Sequence, residues 1–220
     1  MERICSGIIG LDELIEGGFV KGSSILIVGA PGAGKTIFGL QFLLAGLKNG
    51  ENGIYFTLEE RKEDLLKDVE RFGWNKIFED YEKKGKFTIV HILPTSIEKI
   101  KDEIMKNCNL FNPQRVVIDN ITLIKLSWEE EKDSIGKKRK MLFDLISFFK
   151  LKNITSLFLA EWQGEKVLTE EFMVDGVIKL YYLAQGLPRA LQITKMRKTK
   201  HSLELFPFEI TEEGIKVKKF

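Results

Sequence analysis

Cysteine and histidine are scarce in this chain of 220 residues. The two cysteines, Cys5 and Cys108, form no CxxC pair, and neither His91 nor His201 has a cysteine within ligand spacing. A Cys/His metal cluster is therefore not expected. Long apolar runs are lacking too: no stretch reaches the roughly eighteen residues that a membrane helix needs. The opening MERICSGIIG lacks the basic, apolar and small-residue series of an export signal. These absences lead us to expect a soluble, cytoplasmic protein with no membrane partner. Charge of one sign is missing as well. Lys and Arg number 34 against 32 Asp and Glu, a net charge of +2, so composition alone predicts neither nucleic-acid nor membrane binding. With 44% apolar and 30% charged residues and no linker, repeat or low-complexity segment, one domain over residues 1–220 is expected.

What is present is organised around Ser24 to Thr36, SILIVGAPGAGKT. An apolar segment runs into a glycine-rich turn and a lysine, the strand-loop-helix signature of a phosphate-binding P-loop. Gly29, Gly34, Lys35 and Thr36 match G-x-x-x-x-G-K-[ST]. The glycines let backbone N–H groups turn inward around a phosphate, and the following helix start adds its positive dipole end. The candidate nucleotide-binding stretch is thus Gly29, Ala30, Pro31, Gly32, Ala33, Gly34, Lys35, Thr36 and Ile37. Lys35 is expected to reach the β- and γ-phosphates, and Thr36 to offer its hydroxyl to Mg²⁺.

Around this loop the chain alternates strand and helix. The leader Gly7 to Gly22 has a helical face of Leu11, Leu14 and Ile15, stopped at Gly17-Gly18. After the long helix that follows the P-loop come a strand at Ile54 to Leu58, a charged helix at Arg61 to Phe72 and a strand at Phe87 to Leu93 ended by Pro94. A helix over Ser96 to Asn107 and a strand over Arg115 to Asp119 follow. The helix Asp133 to Lys150 carries Ile135, Leu142, Leu145, Ile146 and Phe149, and a fifth strand covers Thr155 to Ala160. Such alternation predicts a mainly parallel sheet with helices on both faces and ligands at the carboxyl ends of its strands. Beyond Glu161 the pattern changes. Val177 to Leu183 and Ala190 to Met196, joined at Gln185 to Pro188, then a hairpin of Phe208 to Ile210 and Ile215 to Val217, predict an antiparallel C-terminal extension.

Several polar residues fall at strand ends. Asp119 closes Val116-Val117-Ile118, where a Walker B carboxylate delivers charge to Mg²⁺. Glu59 and Glu60 close the second strand, where a carboxylate can polarise water for in-line attack on a γ-phosphate. Glu59 is the preferred base, because Thr57-x-x-Glu60 also reads as a capping box. Glu161 follows the fifth strand, either as a γ-phosphate sensor or as a surface turn. Lys195 and Arg197, in KMRKTKH, alternate onto one side of a strand. They form either a phosphate clamp or a solvated, lysine-protected edge. Because this topology sets them far from their own P-loop, the clamp reading sends them to a neighbour's nucleotide, which requires an oligomer. His201 is either a contact to base or ribose across that interface or an exposed histidine near a turn. The Trp128 loop with Glu129, Glu130 and Glu131 is too acidic for DNA, although Lys137 to Lys140 could mark a basic helical patch.

Together these stretches resemble the KaiC-like branch of the RecA/RadA P-loop ATPases over nearly the whole chain. SGIIGLDELIEGGFVKGS, GAPGAGKT, YFTLEE, RVVID, DGVIKLYY, KMRKTKH and PFEIT occur in family order. The resemblance implies a RecA-like core and binding of ATP with Mg²⁺. It also implies hydrolysis served by Glu59 and Glu60, with Lys195 and Arg197 entering the adjacent subunit's site in a six-membered ring. Lys198 departs from the family's K-x-R-G segment, where glycine stands, and Thr169 is the one hydroxyl between Glu161 and Asp175. Clock function and autophosphorylation are not carried over. A RadA-paralogue role on DNA and an ATP-gated scaffold with negligible turnover are the competing expectations.

Overall fold

The computed structural model describes residues 1–93, 96–123, 134–162, 168–182 and 189–218. The expected turn at Gln185 to Pro188, Pro94, the Trp128 loop with Ser127 to Asp133, residues 163–167 and the Ile135 side chain lie outside the described residues. The chain opens with a two-stranded antiparallel ribbon, β1 (Arg3–Ile4) against β2 (Phe19–Val20), around a 3₁₀ turn at Asp12–Ile15. Then follow β3 (Ser24–Gly29), α1 (Lys35–Lys48), β4 (Gly53–Thr57), α2 (Lys62–Asp68), α3 (Trp74–Lys83) and β5 (Phe87–His91). The remainder comprises α4 (Ile97–Phe111), β6 (Arg115–Asp119), α5 (Ser134–Leu151), β7 (Thr155–Glu161), β8 (Gly176–Tyr181), β9 (Arg189–Met196), β10 (Leu205–Thr211) and β11 (Gly214–Val217). Among the described residues the main sheet has the order β11-β10-β9-β8-β3-β7-β6-β4-β5. It is parallel from β8 to β5 and antiparallel from β9 to β11.

Both faces of the parallel part are covered, so β3, β4 and β6 are buried at every position. On one face α1 sets Phe38, Phe42 and Leu43 in a core with Tyr55, Val117 and Leu159. On the other, Ile104 of α4 and Leu142, Leu145 and Phe149 of α5 share a core with Leu26, Phe56, Ile118 and Phe158. Each such side chain stabilises the fold by about 1.5–3 kcal/mol relative to exposure. Gly39 lets α1 lie close on the sheet: a Cβ there would stand 2.9 Å from Val117 Cγ1 and 3.3 Å from Tyr55 Cε2. Gln41 ties α1 to both chain ends, donating to Gly7 O and Ile215 O and accepting from Ile215 N. Among the described residues no helix is long and apolar enough to cross a membrane.

Register decides what the sheet delivers. Gly29 pairs with Glu161, and Thr57 pairs with Asp119, so the carboxyl ends of β3, β7, β4 and β6 meet at one edge. The helix expected over Arg61 to Phe72 is α2 plus a 3₁₀ turn at Glu70–Phe72, broken at Gly73 with φ 67°. After Gly73 a further helix, α3, buries Trp74 and Phe78; Trp74, Ile77, Phe78 and Tyr81 have the spacing of a helical face. Likewise the leader is a 3₁₀ turn ending in a left-handed Glu16, φ 56°, with Leu11 and Ile15 fully buried.

Candidate active site

The P-loop leaves β3 at Gly29 and enters α1 at Lys35, with Gly32 at φ 76° and Gly34 at φ 101°. Those left-handed positions suit glycine and aim successive N–H groups inward. The Lys35 ammonium is buried and donates to Gly29 O at 3.0 Å and Ala30 O at 3.2 Å. At the start of α1, Thr36 Oγ1 donates to Asp119 Oδ2 at 3.1 Å. Ala33 is buried and Ile37 packs partly against the core below.

Facing the loop is a wall of carboxylates. Glu59 is exposed, and its Oε2 accepts from Asn120 Nδ2 at 3.0 Å. The Asn120 Oδ1 accepts from the N–H groups of Thr122 and Leu123, which fixes the amide. Thr57 Oγ1 accepts from Glu59 N and Glu60 N and donates to Glu60 O. The capping box expected there does not form: Arg61 is the N-cap of α2, without a side-chain cap bond, and Glu60 Oε2 is buried with no hydrogen-bond partner. Glu161 N donates to Thr122 Oγ1, and Trp162 N donates to Gly29 O, so the end of β7 is tied to the base of the loop. A cavity of about 160 Å³ separates Pro31, Gly32, Lys35 and Thr36 from Glu59, Glu60, Asp119, Asn120 and Glu161.

One ammonium against four carboxylates sets the electrostatics. Burial pushes the Asp119 carboxyl up, opposed by hydrogen bonds from Tyr55 and Thr36 and by the Lys35 charge. Burial, then Asp119 and Glu161, raises Glu59, while Lys35 and Asn120 oppose. Glu60 is raised by burial and by Asp68, Asp119 and Glu59. Burial lowers Lys35 against the pull of Glu161, Asp119 and Glu59. A site with this excess of carboxylate, and an orphaned acceptor in Glu60 Oε2, suits a bound cation. Among the described residues no group of three or more His, Cys, Asp or Glu side chains converges into a metal cage. Mg²⁺ takes one or two protein ligands beside substrate phosphates, and Thr36 and Asp119 are residues that could hold it.

Two members of this constellation escaped the sequence reading. Tyr55, fully buried, donates from its hydroxyl to Asp119 Oδ2; the signal was a phenol in an otherwise apolar strand, since a buried Tyr needs a partner for its O–H. Asn120 was signalled only by its place next to Asp119.

Lys195, Arg197 and His201 are not part of the cavity. Met196 pairs with Gly176, and Gly176 with Ile25 at the start of β3, whereas the P-loop begins at Gly29. The rise from Ile25 to Gly29 alone is about 13 Å, so this segment lies at the opposite end of the sheet from the chain's own P-loop. The Lys195 ammonium donates to Glu171 O at 2.8 Å and Val174 O at 2.7 Å, and burial lowers its pKa. Arg197 is exposed, with no ion-pair partner among the described residues. His201 Nδ1 contacts Ser202 O at 3.2 Å. In the Lys137 to Lys140 run, Lys138 is buried and pairs with Glu170, which removes one cation from the expected basic patch.

A central, mostly parallel sheet clad by helices, antiparallel C-terminal strands and a P-loop between β3 and α1 define a RecA-like α/β protein. A crystal structure of a KaiC-like protein from the archaeon Pyrococcus horikoshii superposes with a TM-score of 0.87 over 99% of both chains at 38% identity. The family model described as "ATPase: KaiC" matches residues 4–219, and the chain belongs to the KaiC ATPase family. A UPF0273 protein of Methanopyrus kandleri is 35% identical over 99% of this chain and 92% of its own length. The circadian clock oscillator protein KaiC of Parathermosynechococcus lividus is 32% identical over 96% of this chain, which spans only 41% of that longer protein.

Proposed function

We propose that this chain is a slow, Mg²⁺-dependent ATPase whose nucleotide state controls a homo-oligomeric assembly in signalling or regulation. The observation that carries this reading is the convergence of Thr36, Asp119, Asn120 and Glu59 on the cavity beside the P-loop. The loop N–H groups and the Lys35 ammonium, leaving the carbonyls of Gly29 and Ala30, hold the β- and γ-phosphates. Thr36 and Asp119 would hold Mg²⁺, which would neutralise phosphate charge. Glu59, its Oε2 anchored on Asn120, presents Oε1 to a water and takes its proton. The water oxygen bonds to the γ-phosphorus as the bridging oxygen leaves with ADP, giving ADP and inorganic phosphate. The nucleobase fits the cavity of about 400 Å³ lined by Arg71, Phe72, Ile210, Thr211 and Glu212, adjacent to the loop because Ile210 Cδ1 stands 3.3 Å from a Cβ built on Gly34.

Among the described residues Lys35 is the one cation lining the cavity, and Arg197 of a neighbour supplies a second in this reading. Lys195 would have to leave its own carbonyls to join. A hexameric ring is the closed assembly we propose, with each nucleotide shared between subunits. The alternative on DNA is weakened by burial of Lys138. Phosphate release from ATP-Mg²⁺, run beside light scattering with and without nucleotide and a DNA titration, tests the reading. Turnover lost in Glu59→Gln with Glu60→Gln, nucleotide binding retained and a ring formed with ATP support it. Equal turnover in that double variant overturns it, and wild-type protein that binds ATP but never releases phosphate leaves the scaffold reading in its place. Salt-sensitive DNA binding dependent on Arg139 and Lys140 would favour the recombination role.

A further inference from the structure

The turn that carries Arg197 is held from outside its own strands. Arg197 follows β9 directly, and Lys198 bends the chain with a left-handed φ of 60°. Arg3, near the start of the chain and 18% exposed, reaches this turn with both ends of its guanidinium. Its Nη1 donates to Thr199 Oγ1 at 3.1 Å, and its Nη2 to Lys198 O at 3.3 Å. The same two nitrogens bind the leader, donating to Ile15 O, Gly18 O and Glu16 Oε2. Glu16 Oε2 then accepts the backbone N–H of Lys200 at 3.2 Å. Arg3 and Glu16 thus grip the turn on both sides of Lys198.

Holding a turn of this composition needs a specific device. Lys195 and Arg197 repel one another, and Lys198, Lys200 and Arg3 add further positive charge; Glu16 pairs with Arg3 at 2.9 Å, while Asp175 and Glu171 attract Lys195. The Arg197 side chain takes no part in the grip. Arg197 lines a cleft of about 210 Å³ together with Lys21, Lys150, Asn153, Asp175 and Lys198, a surface that would accept an anionic group from outside the chain.

We propose that Arg3 and Glu16 are positioning residues for Arg197, fixing the turn so that its guanidinium is presented to the nucleotide of the adjacent subunit. The proposal rests on the shared-site reading above. It makes the leader ribbon a part of the neighbour's active site: displacing residues 1–18 in one subunit slows hydrolysis in the next. The bonds to Ile15 and Gly18 alone would serve only to close the leader on itself. Those to Lys198, Thr199 and Lys200 act on the turn.

Mixed oligomers separate the possibilities. Acceptor subunits carry Arg197→Ala, leaving their P-loop intact. Donor subunits carry Glu59→Gln with Glu60→Gln, leaving their Arg197 intact. Mixing the two should restore phosphate release that neither shows alone; no restoration overturns the shared-site reading itself. With restoration in hand, Arg3→Gln or Glu16→Gln in the donor should lower the restored rate about tenfold or more, since small misplacement of a catalytic group carries penalties of that order. The same changes in the acceptor, whose own Arg197 is already absent, should leave the restored rate as it was. Arg3→Lys in the donor should recover part of the rate. Donor variants without effect, or an equal loss from either subunit, overturn the positioning role while the shared site stands.

Discussion

The Tyr55 hydroxyl donates to Oδ2 of Asp119 at 2.5 Å, the same oxygen that accepts from Thr36. Both donors therefore hold one oxygen of the carboxylate, and Asp119 lines the cavity beside the P-loop. The contact follows from register: Tyr55 pairs with Val117 across β4 and β6, so its ring runs diagonally along one face of the sheet toward Asp119. Gly39 leaves the room that the ring occupies.

Removing that hydroxyl is expected to loosen the carboxylate proposed to hold Mg²⁺ without disturbing the fold. Tyr55→Phe keeps the ring in its apolar setting and leaves Asp119 with one donor fewer. Partners that orient a metal ligand are worth about 10–100-fold in metal affinity. The Mg²⁺ concentration for half-maximal retention of ATP should accordingly rise about tenfold, with the nucleotide-free unfolding midpoint near that of the wild type. Titrating nucleotide retention against Mg²⁺ reads this directly, and an unchanged midpoint of that titration would show that Thr36 alone orients the carboxylate.

Glu60 gives a prediction with a sign. Its carboxyl is raised by burial and by the acidic groups around it, so the folded state holds the proton to higher pH than the unfolded chain does. Stability from this group is present below the ordinary carboxylate range and falls as pH rises through the folded value. Glu60→Gln should flatten that part of the curve and stabilise the nucleotide-free protein at neutral pH, by about 0.5 kcal/mol once solvent screening is allowed for. Urea unfolding of both proteins across pH 4 to 8 would expose the opposite trend, a variant less stable at neutral pH, if the carboxylate were favourably placed.

Glu170 behaves the other way. Burial pushes it up, but the Lys138 ammonium at 2.5 Å and the hydrogen bonds around it win, and its pKa is lowered. This contribution is complete above the ordinary carboxylate value and is lost as pH falls through the depressed one. Glu170→Gln leaves Lys138 buried without a counter-charge and should cost about 3 kcal/mol at neutral pH. Adding Lys138→Met should recover much of that loss, because the uncompensated charge goes with it. Chemical denaturation of the single and double variants measures both, and a single variant as stable as wild type at pH 7 would mean that Lys138 finds water instead.

The sequence was most legible where one local pattern had one physical meaning. The expected strand at Arg115 to Asp119 coincides with β6, because an unbroken apolar run is what a strand covered on both faces requires, and the strand is buried through to Asp119. The P-loop was readable for the same reason. What stayed hidden depends on contacts distant in sequence. Nothing in a strand's periodicity says that the Tyr55 hydroxyl meets a residue on β6, and nothing near Arg3 announces that its partners include Lys198 and Thr199. The two interpretations of Thr57-x-x-Glu60 differ in where the next helix is capped, and the N-cap of α2 is Arg61 rather than Thr57.

Lys198 supplies the last prediction. It holds φ at 60°, a conformation in which a Cβ crowds the backbone at a cost of about 1–2 kcal/mol, whereas glycine adopts it freely. The position is also the one where the resemblance to KaiC-like proteins leads one to expect glycine. Lys198→Gly relieves this strain and removes one charge from a cluster of like charges, while glycine's greater freedom in the unfolded chain takes part of the gain back. The net expectation is stabilisation by about 1 kcal/mol in nucleotide-free protein, read as a higher urea midpoint with an unchanged slope. Because the bond from Arg3 goes to the backbone carbonyl of residue 198, the substitution leaves the grip on the turn in place. A destabilised variant would show that the lysine side chain contributes more than the strain costs.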